Sequence, residues 1–174
     1  MITYIDKNFN TLSQNTYNDV IFNVQMHRIQ CPGCGHSGCM RIHGYYRRKV
    51  KVRGGSFSLK VMRLFCLECG QTHAVLPSSI VPYTQASLEC QILVVEIYEN
   101  GGNLKTVSEK YPDVDENNIK SIILRYRKHW KQKLASEAIR LRPILSLVIG
   151  CFSHFSRQFL QIHRTRNRLF SITT

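Results

Sequence analysis

The sequence predicts an α+β chain: a small β unit, then an all-α unit, then a carboxy-terminal amphipathic helix. Three observations predict it. Two Cys-x-x-Cys pairs, Cys31/Cys34 and Cys66/Cys69, bracket a stretch whose apolar and polar residues alternate with period two. Downstream, apolar residues recur at helical spacing between Leu88 and Leu134. A last stripe, with three- and four-residue steps, runs from Leu145 to Ile162. The expected boundaries are an amino-terminal arm at 1–24, the β unit at 25–80, the helical unit at 85–136, and the final helix with a basic tail at 142–174.

The arm is polar and rich in Asn (Asn8, Asn10, Asn15, Asn18), and is expected to pack loosely. Val20-Ile21-Phe22-Asn23-Val24 reads as a strand leading to the first cysteine pair. After Cys34, Lys49-Val50-Lys51-Val52-Arg53 and Phe57-Ser58-Leu59-Lys60-Val61 each alternate as half-buried strands do, and Gly54-Gly55-Ser56 between them is a hairpin turn signal. Knuckle, strand, turn, strand, knuckle is the layout of a zinc ribbon. Such a hairpin is too small to bury a core, so a bound metal would supply much of its folding energy.

Ser87 caps a predicted helix reaching about Glu99, with Leu88, Ile92 and Val95 on one face, and Asn100-Gly101-Gly102 stops it. A short helix follows with Leu104, Val107 and Tyr111, and Pro112-Asp113 breaks it. Asp115 caps a third helix whose stripe is Ile119, Ile122, Ile123, Tyr126, Trp130 and Leu134. Long helix, short helix, tight turn, long helix is the pattern of a helix-turn-helix. Past Arg142-Pro143, Leu145, Val148, Phe152, Phe155, Phe159 and Ile162 form the last stripe, which packs within the chain or forms a self-association seam.

Four thiolates delivered as two Cys-x-x-Cys pairs suit one tetrahedral Zn²⁺, so the expected ligands are Cys31, Cys34, Cys66 and Cys69. Thirty-one residues separate Cys34 from Cys66, room for two strands and a loop. Rival ligands lie nearby: His36, Cys39 and His43 by the first pair, His73 after the second. Four sulfurs leave no open position, so the metal is expected to be structural. Cys90 and Cys151 lie among apolar residues and read as buried small hydrophobes. Seven cysteines, mostly paired, and no apolar leader at the start of the chain fit a reducing, cytoplasmic setting. The longest apolar stretch, Ile144 to Phe152, is interrupted by Ser146 and Gly150, and it is far short of the ~20 residues that span a bilayer. No membrane partner is expected.

The formal net charge is +13 and it is unevenly spread. Between the cysteine pairs stand eight cations and no carboxylate: Arg41, Arg47, Arg48, Lys49, Lys51, Arg53, Lys60 and Arg63. Residues 125–174 hold eleven more, and Glu137 is the last acid. Clustered charge of this kind points to a polyanion, and nucleic acid is the expected partner. On the third helix, Lys120 and Arg127 are the candidates for groove or phosphate contact. Tyr45, Tyr46 and Phe57, interleaved with the hairpin cations, are expected to pack beneath them. The tail from His163 to Arg168 reads equally as a phosphate-binding or a disordered segment. No phosphate loop, nucleophile elbow or His-Glu-x-x-His is present, and most acids sit where a helix cap or turn accounts for them. No catalytic residue is assigned, and the expectation is a protein without catalysis of its own.

One further pattern carries weight. Cys31-Pro32-Gly33-Cys34, the strand His43-Gly44-Tyr45-Tyr46-Arg47-Arg48, Arg63-Leu64-Phe65-Cys66-Leu67-Glu68-Cys69-Gly70-Gln71-Thr72 and Leu76-Pro77 together resemble the amino-terminal zinc ribbon of bacterial transposase-like proteins. The resemblance covers about residues 28–85, and more loosely the helices to about 134. It implies a mobile-element protein whose ribbon and helices bind element DNA: an accessory acting beside a transposase, a stand-alone relative, or a truncated remnant. The chain departs from full transposases in lacking room and acids for their catalytic domain. The competing classes are a protein–protein adaptor working through the last apolar stripe, a transcriptional regulator, and an RNA-binding zinc ribbon.

Overall fold

A computed structural model describes residues 1–6, 12–112, 114–163 and 166–170 of the chain. The fold is mixed α+β, with a five-stranded sheet and several helices. It divides into a sheet unit (1–48, 58–79 and the segment after 163) and a helical unit (49–57 and 80–163).

The sheet unit holds β1 (Ile2–Tyr4), α1 (Gln14–Phe22), most of β2 (Met40–Val52) and β3 (Gly55–Cys66), β4 (Thr72–Pro77) and β5 (Arg168–Phe170). The strand order is β2-β3-β4-β1-β5. β3 and β4 run antiparallel, with Leu64 opposite His73. β1 lies parallel to β4 on one side (Ile2 opposite Val75) and parallel to β5 on the other (Ile2 opposite Arg168). Ile2 and Tyr4 face one side of the sheet and Thr3 the other, and all three are buried, so β1 is covered on both faces.

Three expectations for this unit are corrected. The start of the chain is not a loosely packed arm, because β1 is an interior strand; Asn8 and Asn10 lie outside the described residues. Val20 to Phe22 belong to a helix and not a strand. Ser13 opens that helix with a capping box shared with Thr16, which satisfies its first free amides. The basic tail returns to the sheet as β5, and the Arg166 guanidinium reaches the Gly33 carbonyl at 3.2 Å. Arg164 of that tail lies outside the described residues.

α1 is anchored by one side chain. Tyr17 is buried, and its hydroxyl accepts from the Met62 amide at 2.9 Å while donating to the Val75 carbonyl at 2.9 Å. It thereby bridges β3 and β4 beyond their last paired residues. Gln14 does similar work nearby, accepting from the Lys60 amide at 2.6 Å.

The helical unit contains α2 (Leu88–Glu99), α3 (Leu104–Lys110), α4 (Glu116–Arg125), a π turn (Tyr126–Trp130), α5 (Lys131–Ser136) and α6 (Ile144–Phe155). Caps match the sequence expectation: Ser87 accepts from the Cys90 amide and Asp115 from the Asn118 amide. α4, the π turn and α5 form one run, and its inner stripe buries Ile119, Ile122, Tyr126, Trp130 and Leu134. Ile123 is half-buried at the stripe's edge. Trp130 meets the edges of Phe155 and Phe159, with centroids 5.7 and 5.5 Å away. Asp113, in the break before α4, lies outside the described residues.

Two findings differ from expectation here. The last apolar stripe is not one helical face, because α6 ends at Phe155 and Ser156 turns left-handed at φ 53°. The buried face of α6 is Ile144, Leu147, Val148, Cys151 and Phe152, while Leu145 is exposed. Phe159 stays in the core although the helix has ended. The hairpin tip, expected in the β unit at 25–80, belongs instead to the helical unit: the Lys51 amide donates to the Gln85 carbonyl at 2.8 Å, and the Lys51 carbonyl accepts from the Ser87 amide at 2.8 Å. Among the described residues, no helix is long and apolar enough to cross a membrane.

Candidate metal centre

The two cysteine pairs fold into the same loop. In the first, the Cys31 amide donates to the His36 carbonyl (2.9 Å) and the Gly35 amide donates to the Cys31 carbonyl (2.9 Å). In the second, Cys66 donates to Gln71 (2.9 Å) and Gly70 donates to Cys66 (3.0 Å). Gly35 and Gly70 hold φ of 83° and 69°, left-handed values that a side chain disfavours, so each pair is followed by glycine. Folded this way, the loops aim amides at sulfur. Gly33 donates to Cys31 Sγ at 3.3 Å, Glu68 and Cys69 donate to Cys66, His36 to Cys34, and Gln71 to Cys69.

The four sulfurs lie within 4.8 Å of one another. Cys31 Sγ is 3.6 Å from Cys69 Sγ, and Cys34 Sγ is 3.7 Å from Cys66 Sγ. A tetrahedron of sulfurs about 2.3 Å from a zinc ion has edges of about 3.8 Å, so the set fits such an ion. Electrostatics point the same way. Burial alone would raise the Cys66 thiol, but the amides of Cys69 and Glu68 and the neighbouring thiols outweigh it and bring the group down to about 6. Cys69 gains from its Gln71 amide, yet burial and the three other sulfurs push it up to about 12. Four sulfurs this close cannot all ionise without a countercharge, and a dication supplies one. Four cysteines here are therefore able to hold a metal such as zinc.

The rival ligands fall outside this set. Cys39 Sγ lies 3.3 Å from Cys66 Sγ and donates to the His36 carbonyl at 3.2 Å. Its carbonyl accepts from Leu67 at 2.9 Å, which fixes it behind the second loop. His73 is buried, and burial lowers its imidazole to about 4, so it is neutral. With its proton on Nε2 the ring donates to Cys31 Sγ, 3.3 Å away, the way an outer partner orients a metal-bound thiolate. These two roles were beyond sequence reading, because β4 delivers His73 through strand pairing. His43 stacks on Phe65 with centroids 6.0 Å apart, and His36 serves through its backbone. Cys90 and Cys151 are buried at 1% and 0% exposure.

The hairpin cations sort by exposure. Arg41, Arg47 and Lys60 of the sheet unit are exposed, and Arg63 is half-buried and donates to Thr72 Oγ1 at 2.8 Å. Arg48 is also half-buried. Tyr45 is not packed beneath the cations as expected: it is half exposed, with Lys60 Nζ 4.8 Å over its ring. In the helical unit, Lys49 and Arg53 are exposed, whereas Lys51 is held by Asp115 at 2.8 Å and its side chain is only 17% exposed. Lys51 is therefore a structural partner of the α4 cap. Lys120 and Arg127 are both exposed on the α4 run.

Residues 31–111 match the model of a domain of unknown function (DUF6431), a span from the first cysteine pair through α3. No curated protein and no solved structure matches the chain.

Proposed function

We propose that the chain is a zinc-dependent DNA-binding protein of the transposase-like class, with a zinc ribbon in the sheet unit, a helix-turn-helix in the helical unit, and no catalysis of its own. The observation that carries this reading is the four-sulfur cluster closing a hairpin that has exposed cations and no acid. Arg41, Arg47 and Lys60 offer charge to phosphates from a stretch that has no carboxylate of its own. The metal, bound at Cys31, Cys34, Cys66 and Cys69, has no open position and serves to hold that surface in shape. The succession of α2, α3 and α4, with five residues between the last two, supports the helix-turn-helix reading.

Fluorescence anisotropy with a labelled duplex across a salt series tests it. Binding is expected to weaken steeply as salt rises, with log K falling by about 0.9 per phosphate neutralised. Arg47→Ala and Lys60→Ala each flatten that slope by about 1. Binding that salt does not change, or no binding at low salt, overturns the reading.

A further inference from the structure

The helical unit carries a surface groove of about 590 Å³ that a polyanion does not account for. Its floor is apolar and comes from Tyr98 near the end of α2 and from Ile123 and Leu124 on α4. Leu124 is 50% exposed, on a helix whose opposite stripe is fully in the core. The rim is cationic: Lys105 on α3, with Lys120 and Arg127 on the α4 run. Among the described residues no carboxylate lines it. Lys120 and Lys105 share exposed pairs with Glu116 (2.6 Å) and Glu109 (4.0 Å), contacts that water already screens. Arg127 has no ion-pair partner among the described residues.

An apolar floor inside a cationic rim has a specific complement. A phosphate backbone would satisfy the rim and leave the floor wet. A segment with large apolar side chains on one side and carboxylates on the other would satisfy both. Charge complementarity favours a partner protein's acidic segment over a second copy of this chain, whose net charge is +13. We propose that this groove docks an acidic amphipathic segment of a partner protein, with an apolar side chain seated on Leu124 and Ile123 and carboxylates on Lys120 and Arg127. This goes beyond the DNA-binding reading, which is carried by the sheet unit's hairpin and supported by the helix-turn-helix, and it reassigns Lys120 and Arg127 from DNA to a protein partner.

The test uses the full zinc-loaded chain and a fluorescein-labelled helical peptide of glutamates with two leucines and a phenylalanine at i, i+3 and i+7. A second peptide has those three residues changed to serine. Anisotropy is expected to show saturable binding of the first peptide and at least tenfold weaker binding of the second. Leu124→Ser, at an exposed position that folding tolerates, weakens the first peptide at least fivefold, as does Arg127→Glu. Leu124→Ser changes the affinity of the hairpin for duplex DNA less than twofold. Equal binding of both peptides, or no effect of Leu124→Ser, shows attraction by charge alone and overturns the proposal. Loss of duplex binding in Leu124→Ser, with displacement of the peptide by duplex, makes the groove a nucleic-acid face and also overturns it. A failure of the peptide arm leaves the hairpin's salt-dependent DNA binding intact, so the two readings fall separately.

Discussion

Tyr17→Phe isolates the contact that fixes α1 to the sheet. The substitution removes one oxygen and keeps the ring, so packing against Tyr4, whose ring centroid is 6.2 Å away, is retained. What is lost is the bridge: the Met62 amide loses its acceptor and the Val75 carbonyl loses its donor. Met62 and Val75 are both 0% exposed, so water cannot replace the hydroxyl. Leaving a buried polar group unpaired costs about 1–3 kcal/mol, and two such groups, one of which keeps a second lone pair, give about 2–4 kcal/mol. For a chain of this size that is roughly 5–15 °C in melting temperature. Thermal unfolding of zinc-loaded protein, followed by circular dichroism, measures it. Phe22→Ala is the control, since Phe22 is on the same helix and 91% exposed; it should move stability by less than about 0.5 kcal/mol. A Tyr17→Phe melt within that same margin of wild type would refute the bridging role.

Further outcomes follow from other contacts. Trp130→Ala removes the centre of the helical core and should cost about 3–5 kcal/mol, read by denaturant titration. Asp115→Ala loses the α4 cap and should cost about 1 kcal/mol, while Lys51→Ala should cost less than about 1 kcal/mol because the pair is partly solvated. Asp115 is pulled down to about 2, first by the Lys51 ammonium and then by the Asn118 amide. A carboxyl lowered on folding stabilises the fold above its unfolded value near 4, so this contribution is constant at neutral pH and fades as pH falls from about 4 to 2. Asp115→Asn should flatten that part of the stability profile. Gly70→Ala forces a side chain into φ 69° and should raise the zinc dissociation constant about tenfold or more in a competition titration, through a strain of about 1–2 kcal/mol.

What the sequence disclosed follows the range of the forces involved. α2, α3 and α4 were legible because their caps, Ser87 and Asp115, and their stripes are local features. The four cysteines were legible for the same reason: each pair builds its own loop with its own glycine. β1 and β5 were not, since three residues such as Ile2-Thr3-Tyr4 become a strand only when β4 and β5 flank them. α1 was masked by its β-branched end, and the deciding features were the Ser13–Thr16 cap and the distant Tyr17 bridge. The last apolar stripe misled because periodicity counted Phe159 without seeing the left-handed Ser156 before it. Lys51 looked like one hairpin cation among eight; its pairing with Asp115, 64 positions away, is a property of the fold. Cys39 and His73 stood out as possible ligands, yet their places behind the sulfurs depend on strand register.

In the proposed function, four thiolates hold a metal that shapes a DNA-binding surface. Elemental analysis of protein purified under reducing conditions, paired with duplex binding at low salt, tests it most directly. One zinc per chain is expected in wild type. Cys66→Ser should lose most of that zinc and at least tenfold in duplex affinity. A full zinc complement in Cys66→Ser, or tight salt-sensitive DNA binding by a zinc-free wild type, would contradict the account.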